Sequence, residues 1–287
     1  MDRRLEKDDA ITEEIRIPAP EEGTITADLR SCAPEKALPL IIVSHGFLGH
    51  RGWGFFPYIS TRLAVNGFHV LTFDFSHNGT DKATGMITRH EEFAANTVAR
   101  EEADLEAVCR SALSGQLPLK IDRERIGLLG HSRGGAVSLL VSPLFSEIRS
   151  LVTWSSPSNL DRYSARRKSD WKRTGRLTFS DIRADGELWL DYSYYDDILK
   201  HGEHYDLPER ASELTIPYLV IHGRRDAAVT LLEAKKLIIL PQPRKVKMEI
   251  IEGCGHTFGV RDGSGLPPTK GLKEALTLTI DWFRKTV

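Results

Sequence analysis

Residues 125–141 read RIGLLGHSRGGAVSLLV: an apolar run, a glycine-flanked serine and a second apolar run in immediate succession. The first run is short and continuously apolar, as a strand buried on both faces must be, and the second has the length and pattern of a helix. At their junction Gly130-His131-Ser132-Arg133-Gly134 matches G-x-S-x-G. At this chain's glycine and serine content the bare pattern arises by chance about 0.1 times, so the strand and helix flanks carry the weight. A sharp turn there would strain the serine backbone and project its hydroxyl outward, while the glycines let strand and helix approach without β-carbon clashes.

Further runs of the same kind lie on either side. LIIVSHG (40–46), FHVLTFDF (68–75), SLVTWSS (150–156) and YLVIHG (218–223) are continuously apolar, whereas KVKMEII (245–251) alternates and is expected nearer a sheet edge. Helical periodicity separates them. Val98, Leu105, Val108, Cys109 and Ala112 fall on one stripe within residues 92–113, and Leu272, Leu276, Ile280 and Phe283 repeat similarly near the end. This alternation predicts an α/β fold with a mostly parallel central sheet flanked by helices. EEIRIP and GTITADLR, joined near Gly23, are expected to form an antiparallel hairpin ahead of it.

In such a sheet, ligands sit beyond the carboxyl ends of the strands. A serine hydroxyl is a weak nucleophile at neutral pH and needs a histidine base and an acid that orients the imidazole. Where the serine stands on a strand–turn–helix corner, acid and then histidine follow in chain order. Asp226 follows YLVIHGRR and His256 follows MEIIEGCG, so Ser132, Asp226 and His256 are the candidate catalytic residues. The last two have bland alternatives: Asp226 as a helix cap before Leu231, His256 as one of ten histidines. Acyl transfer also needs donors for an oxyanion, and the backbone amides of Phe47 and Arg133 are the two candidates. His45 is read as a packed strand-end residue without a proton-transfer role.

Nearly sixty residues after Pro157 interrupt the alternation, rich in charge and aromatic rings. Residues 158–215 are therefore read as an insertion within one domain spanning 1–287, either a peripheral flap or a lid over a substrate pocket. In the second case Trp171, Trp189, Tyr192, Tyr194 and Tyr195 would line that pocket. Composition narrows the partners. Lysine plus arginine number 39 against 40 aspartate plus glutamate, which removes the electrostatic case for nucleic acid or an anionic membrane. No apolar stretch approaches the roughly 18 residues of a membrane span. The first ten residues carry seven charges and no apolar core of a secretory signal, so a solvated extension and a cytoplasmic location are expected. Cys32, Cys109 and Cys254 form no CxxC pair and are expected to be free thiols, with no metal site.

HGF, GHSRGG, HGRRD and GCGHTF, in this order, resemble the α/β-hydrolase superfamily over residues 38–287. HGFLGH, FDFSHNGTD and the insertion are similar, more narrowly, to bacterial esterases of the cinnamoyl (feruloyl) type and their serine-aminopeptidase-like relatives. The resemblance implies Ser132 as nucleophile, His256 as general base and acid, Asp226 as orienter, and Phe47 and Arg133 as oxyanion donors. Dienelactone hydrolases are also similar but carry a cysteine nucleophile, and haloalkane dehalogenases an aspartate. One departure is Arg133, where the compared esterases often have a smaller uncharged residue. Its side chain is expected to pair with an acidic residue of the insertion or, second, to meet an anionic group on substrate. Cys254, two residues before His256, is expected to be a small buried thiol.

The function so implied is a serine carboxylesterase acting, without metal or organic cofactor, on short or medium acyl or aryl esters, hydroxycinnamoyl esters included. The partner is then a small-molecule ester, and a homodimer is left open. An aminopeptidase or amidase would share the triad but bind a free amine, for which Asp170, Asp181, Asp191, Asp196 and Asp197 are available in the insertion. A noncatalytic binding protein on the same fold is the remaining alternative.

Overall fold

The computed structural model describes residues 10–21, 23–241, 245–260 and 267–287. The charged amino-terminal extension, apart from Ala10, lies outside them. In chain order the elements are β1 (Ile11–Pro18), β2 (Thr24–Ser31), β3 (Leu38–Ser44), α1 (Phe56–Val65), β4 (His69–Phe73), α2 (His90–Ala94), α3 (Val98–Ser114), β5 (Ile121–His131), α4 (Arg133–Val141) and β6 (Ile148–Trp154). Then come α5 (Ala165–Thr174), β7 (Arg176–Ser180), β8 (Glu187–Asp191), α6 (Tyr192–Lys200), α7 (Leu207–Ser212), β9 (Tyr218–Gly223), α8 (Leu231–Lys236), β10 (Val246–Ile251) and α9 (Lys270–Thr286).

Eight strands form one sheet in the order β1-β2-β4-β3-β5-β6-β9-β10. The six from β4 to β10 run parallel. The expected hairpin is present: β1 pairs antiparallel with β2 from Ile11↔Ser31 to Pro18↔Thr24, and β2 joins β4 antiparallel. The alternating strand β10 lies at the opposite edge, as its pattern implied.

Successive side chains of a strand point to opposite faces, so a continuous apolar run feeds two cores. Leu40 and Ile42 of β3, with Leu71, Leu128, Leu151 and Val220, pack against α3 and α4. Ile41 and Val43, with Val70, Leu129, Val152 and Leu219, pack on the other face against α1 and α9. Both helical stripes are buried as predicted. The first begins later than its periodicity suggested, because the Thr97 hydroxyl caps the Arg100 amide at 3.2 Å and separates α3 from the short α2. No helix among the described residues is long and apolar enough to cross a membrane.

Residues between β6 and β9 leave the sheet to form α5, the β7–β8 hairpin, α6 and α7. Their aromatic residues make a small core of their own. Trp171 is buried, stacks on Tyr194 at 6.0 Å and Tyr195 at 5.9 Å, and donates its indole N–H to the Leu190 carbonyl at 2.9 Å. Contacts tie this segment to the rest of the chain: Asp197 accepts the Ala99 amide at the start of α3, and His204 meets Glu102. His90 of α2 meets Asp185 beside the hairpin turn at 2.7 Å.

Candidate active site

Ser132 stands between β5 and α4 with φ 55° and ψ −126°, a strained conformation of a kind that costs of order 1–3 kcal/mol and persists only where its surroundings fix it. Its amide donates to the Trp154 carbonyl at 2.8 Å. The flanking glycines are required by contact. A Cβ on Gly130 would lie 2.3 Å from the Gly134 carbonyl oxygen, and one on Gly134 2.3 Å from that of His45. The turn after β3 therefore presses against the corner that carries Ser132, and a Cβ on Gly46 would lie 3.3 Å from Ser132 Oγ.

Asp226 and His256 reach the same point from the ends of β9 and β10. His256 Nε2 lies 3.0 Å from Ser132 Oγ, and its Nδ1 2.8 Å from Asp226 Oδ2. Asp226 is buried, and its other oxygen accepts the amides of Ala228 at 3.0 Å and Val229 at 2.9 Å. It does not cap α8, whose N-cap is Thr230. Burial works to raise the Asp226 pKa, but the hydrogen bond and charge of His256 and the Val229 amide outweigh it, so the net shift is downward. An ionised carboxylate accepts only, so the His256 proton sits on Nδ1 and Nε2 is left to accept from serine. Gly223 permits this approach, since a Cβ there would meet the Cys254 and Gly255 carbonyls at 2.6 Å.

Three further histidines hold the frame without charge. His131 donates from Nε2 to the His256 carbonyl at 3.0 Å and is wedged edge-on against Phe55. Burial, reinforced by His256, drives its pKa down to about 3. His45 donates from Nδ1 to the Gly46 carbonyl at 2.9 Å and accepts the Phe75 amide at 3.2 Å. Its pKa falls to about 4, again through burial. His222, fully buried, donates to the Val229 carbonyl at 2.9 Å, and burial lowers its pKa as well.

The Phe47 amide lies one residue beyond Gly46 and donates to no acceptor among the described residues. The Arg133 amide opens α4, ahead of any carbonyl four residues back within that helix. The Arg133 side chain corrects an expectation: its ionic partner is Glu101 of α3, not an acid of the insertion. Glu101 occupies the buried stripe of α3 between Val98 and Leu105, where a lone carboxylate is too costly without a cation. The insertion contributes Tyr194 instead, its hydroxyl 3.5 Å from Arg133 Nη1, and the guanidinium lies 4.6 Å from the Phe47 ring centre. Burial opposes the Arg133 charge, but Glu101 more than compensates and its pKa rises. The position of Glu101, a charge on an apolar stripe, was a readable signal that sequence reasoning passed over.

A cavity of about 260 Å³ opens at Ser132 and His256. Phe47, Leu48, Pro157, Leu160, Ala228 and Val229 supply its apolar wall, and Arg133, Arg162, Arg183, Tyr163 and Tyr194 its polar one. Of the five aromatic residues expected there, Tyr194 alone lines it. Trp171, Tyr192 and Tyr195 pack together in the core of the insertion, and Trp189 lies on the other face of β8 under Arg176. Arg162, Tyr163 and Arg183 were not foreseen, for they stand in connections where no periodicity marks a facing side. Cys254 is half-buried beside Gly271 at the start of α9, and neither it nor the buried Cys109 is in a disulfide. Among the described residues no cluster of three His, Cys, Asp or Glu is arranged to hold a metal.

Comparison with known proteins agrees with this layout. The family model described as "Alpha/beta hydrolase family" matches residues 40–263. Est1E from Butyrivibrio proteoclasticus superposes with a TM-score of 0.66 at 19% identity, over 95% of this chain and 98% of that one. Its structure with ferulic acid bound gives 0.68 at 19% identity, over the same shares of the two chains. A dienelactone hydrolase from Anabaena variabilis gives 0.62 at 16% identity, over 97% of this chain and 99% of that one. No curated protein matches the sequence.

Proposed function

Because the chain belongs to the α/β-hydrolase family, we propose that it is a serine carboxylesterase, with Ser132 as nucleophile, His256 as general base and acid, and Asp226 as orienter. The observation that carries this reading is the unbroken series Ser132 Oγ to His256 Nε2 at 3.0 Å and His256 Nδ1 to Asp226 at 2.8 Å. His256 takes the serine proton as Oγ attacks the ester carbonyl, and the Phe47 and Arg133 amides stabilise the oxyanion. The imidazolium, stabilised by Asp226, protonates the departing alcohol. Water then releases the acid from the acyl-enzyme by the same relay in reverse. Residues 158–215 serve in this reading as a cap on a single hydrolase domain, because Leu160, Arg162, Tyr163, Arg183 and Tyr194 of that segment line the cavity.

The esterase reading is preferred to an aminopeptidase by the character of that wall. A free α-amine calls for acidic side chains, yet none of Asp170, Asp181, Asp191, Asp196 and Asp197 is among the lining residues. The ferulic acid bound to Est1E supports small aryl acids as acyl groups. The test is hydrolysis of p-nitrophenyl acetate and butyrate by the protein and by Ser132→Ala, with folding of both checked by circular dichroism. Loss of the nucleophile is expected to lower kcat by about 10⁴-fold or more. Equal rates in the two proteins would refute the assignment, and failure of a fluorophosphonate to label the folded protein would favour a noncatalytic role.

A further inference from the structure

The cavity at Ser132 is lined by three arginines and by no aspartate or glutamate among the described residues. Each guanidinium has a carboxylate partner, but all three partners stand outside the lining: Glu101 for Arg133, Glu233 for Arg162 and Asp181 for Arg183. The site thus turns its cations toward the cavity and keeps their counter-charges behind. The charged side chains among the lining residues are all arginines.

The three arginines are not held alike. Arg133 is buried, with one terminal nitrogen on Glu101 and the other beside the Tyr194 hydroxyl. Arg162 makes one bond from each terminal nitrogen, to Glu233 and to the Ala228 carbonyl, and has no bidentate carboxylate to fix the plane of its guanidinium. Arg183 differs. Asp181 holds its Nε and Nη2 at 2.7 Å each, which fixes the plane of the guanidinium, while Nη1 has only a long 3.5 Å contact to the Leu48 carbonyl. A guanidinium has five N–H donors, so Arg183 retains unused ones in a fixed orientation. Its backbone is also anchored, its carbonyl accepting the Ile87 amide at 2.7 Å. Tyr163 lines the same cavity, and burial holds its phenol protonated as a further donor.

We infer that the preferred substrates are esters carrying a second, anionic group, such as a carboxylate, with Arg183 as the specificity-determining residue and Tyr163 as its auxiliary donor. The inference rests on the esterase reading above. A planar fork already aligned by Asp181 loses little freedom on engaging a carboxylate, and charge-assisted hydrogen bonds are about twice as strong as neutral ones. The same wall disfavours cationic ester substrates.

Two pairs of esters test this on both sides of the scissile bond. Monomethyl glutarate is compared with methyl 5-methylhexanoate, and acetoxyacetate with isobutyl acetate; in each pair an isopropyl end replaces the carboxylate. The anionic member of at least one pair is expected to have a kcat/KM about tenfold or more above its neutral partner, a gap that narrows between 0.05 and 0.5 M salt. Arg183→Gln should bring the anionic-to-neutral ratio toward one, chiefly through KM. Arg183→Lys, which keeps the charge and loses the fork, should give an intermediate ratio. Neutral esters favoured in both pairs, or a ratio unmoved by either variant, would overturn the inference and leave the esterase reading standing. No hydrolysis of these four or of the p-nitrophenyl esters would overturn that reading and the inference with it.

Discussion

At Ser132 the backbone itself is part of the site. A φ of 55° on a non-glycine residue is tolerated because Gly130 and Gly134 let β5, α4 and the turn after β3 close on one another. Gly134→Ala would place a methyl group 2.3 Å from the His45 carbonyl oxygen and 2.7 Å from that of Ser44, backbone atoms that cannot step aside. We expect this single methyl to cost about 3 kcal/mol or more and to abolish ester hydrolysis. Urea denaturation and the p-nitrophenyl assay check both, and an unchanged midpoint would contradict the packing account. Residues of this kind were legible. Ser132, Asp226 and His256 each follow an apolar run that marks a strand, so the order of strand ends brings them to one side of the sheet. Arg183 and Tyr163 were not legible, because a side chain in an irregular connection has no period to say which way it faces.

The insertion shows how an element can be detected and yet misassigned in detail. Its concentration of aromatic rings pointed to a pocket lining, but a segment leaving the sheet must first cover its own apolar surface. Alternation along ELWLD carried part of the answer: Leu188 and Leu190 turn inward, so Trp189 between them faces the other way. Trp171 is the centre of that small core. Trp171→Ala is expected to cost about 3–5 kcal/mol, the range for deleting a buried indole, and to weaken hydrogen-exchange protection in β7, β8 and α6 ahead of the central sheet. Uniform loss of protection across both regions would mean that the insertion does not open as a separate unit. Tyr194 belongs at once to this core and to the cavity wall, so the substitution should also lower kcat/KM.

Taken as a whole, the molecule buries titratable groups whose pH dependence can be signed. His45 and His131 have folded pKa values depressed to about 4 and about 3, mainly by burial. Their contribution is present above the unfolded value near 6.5 and is lost as pH falls toward those folded values. Asp104 acts oppositely. Burial lifts it to about 6 despite the Ser76 amide it accepts at 2.8 Å, so its contribution is present below the unfolded value and lost as pH rises through about 6. Between pH 7 and pH 5 the two histidines together remove about 4 kcal/mol and Asp104 returns somewhat over 1, so these three groups alone contribute a net loss of about 2 kcal/mol. Urea midpoints at the two pH values measure it, and a protein more stable at pH 5 would show that these histidines are not held neutral.

The division between sequence and tertiary structure follows from the range of the forces involved. Strand and helix identity, the parallel sheet, the hairpin ahead of it, the edge position of β10 and the chain order of serine, acid and histidine were all present in the sequence. They depend on periods of two and 3.6 residues and on what must follow a strand end, which are local properties. The partner of Arg133, the fit of the glycines, the neutral histidines behind the site and the arginine-rich wall were decided only by the folded chain. Those features arise where segments far apart in sequence come within a few ångströms, and there burial and charge pairing set energies that no local pattern encodes.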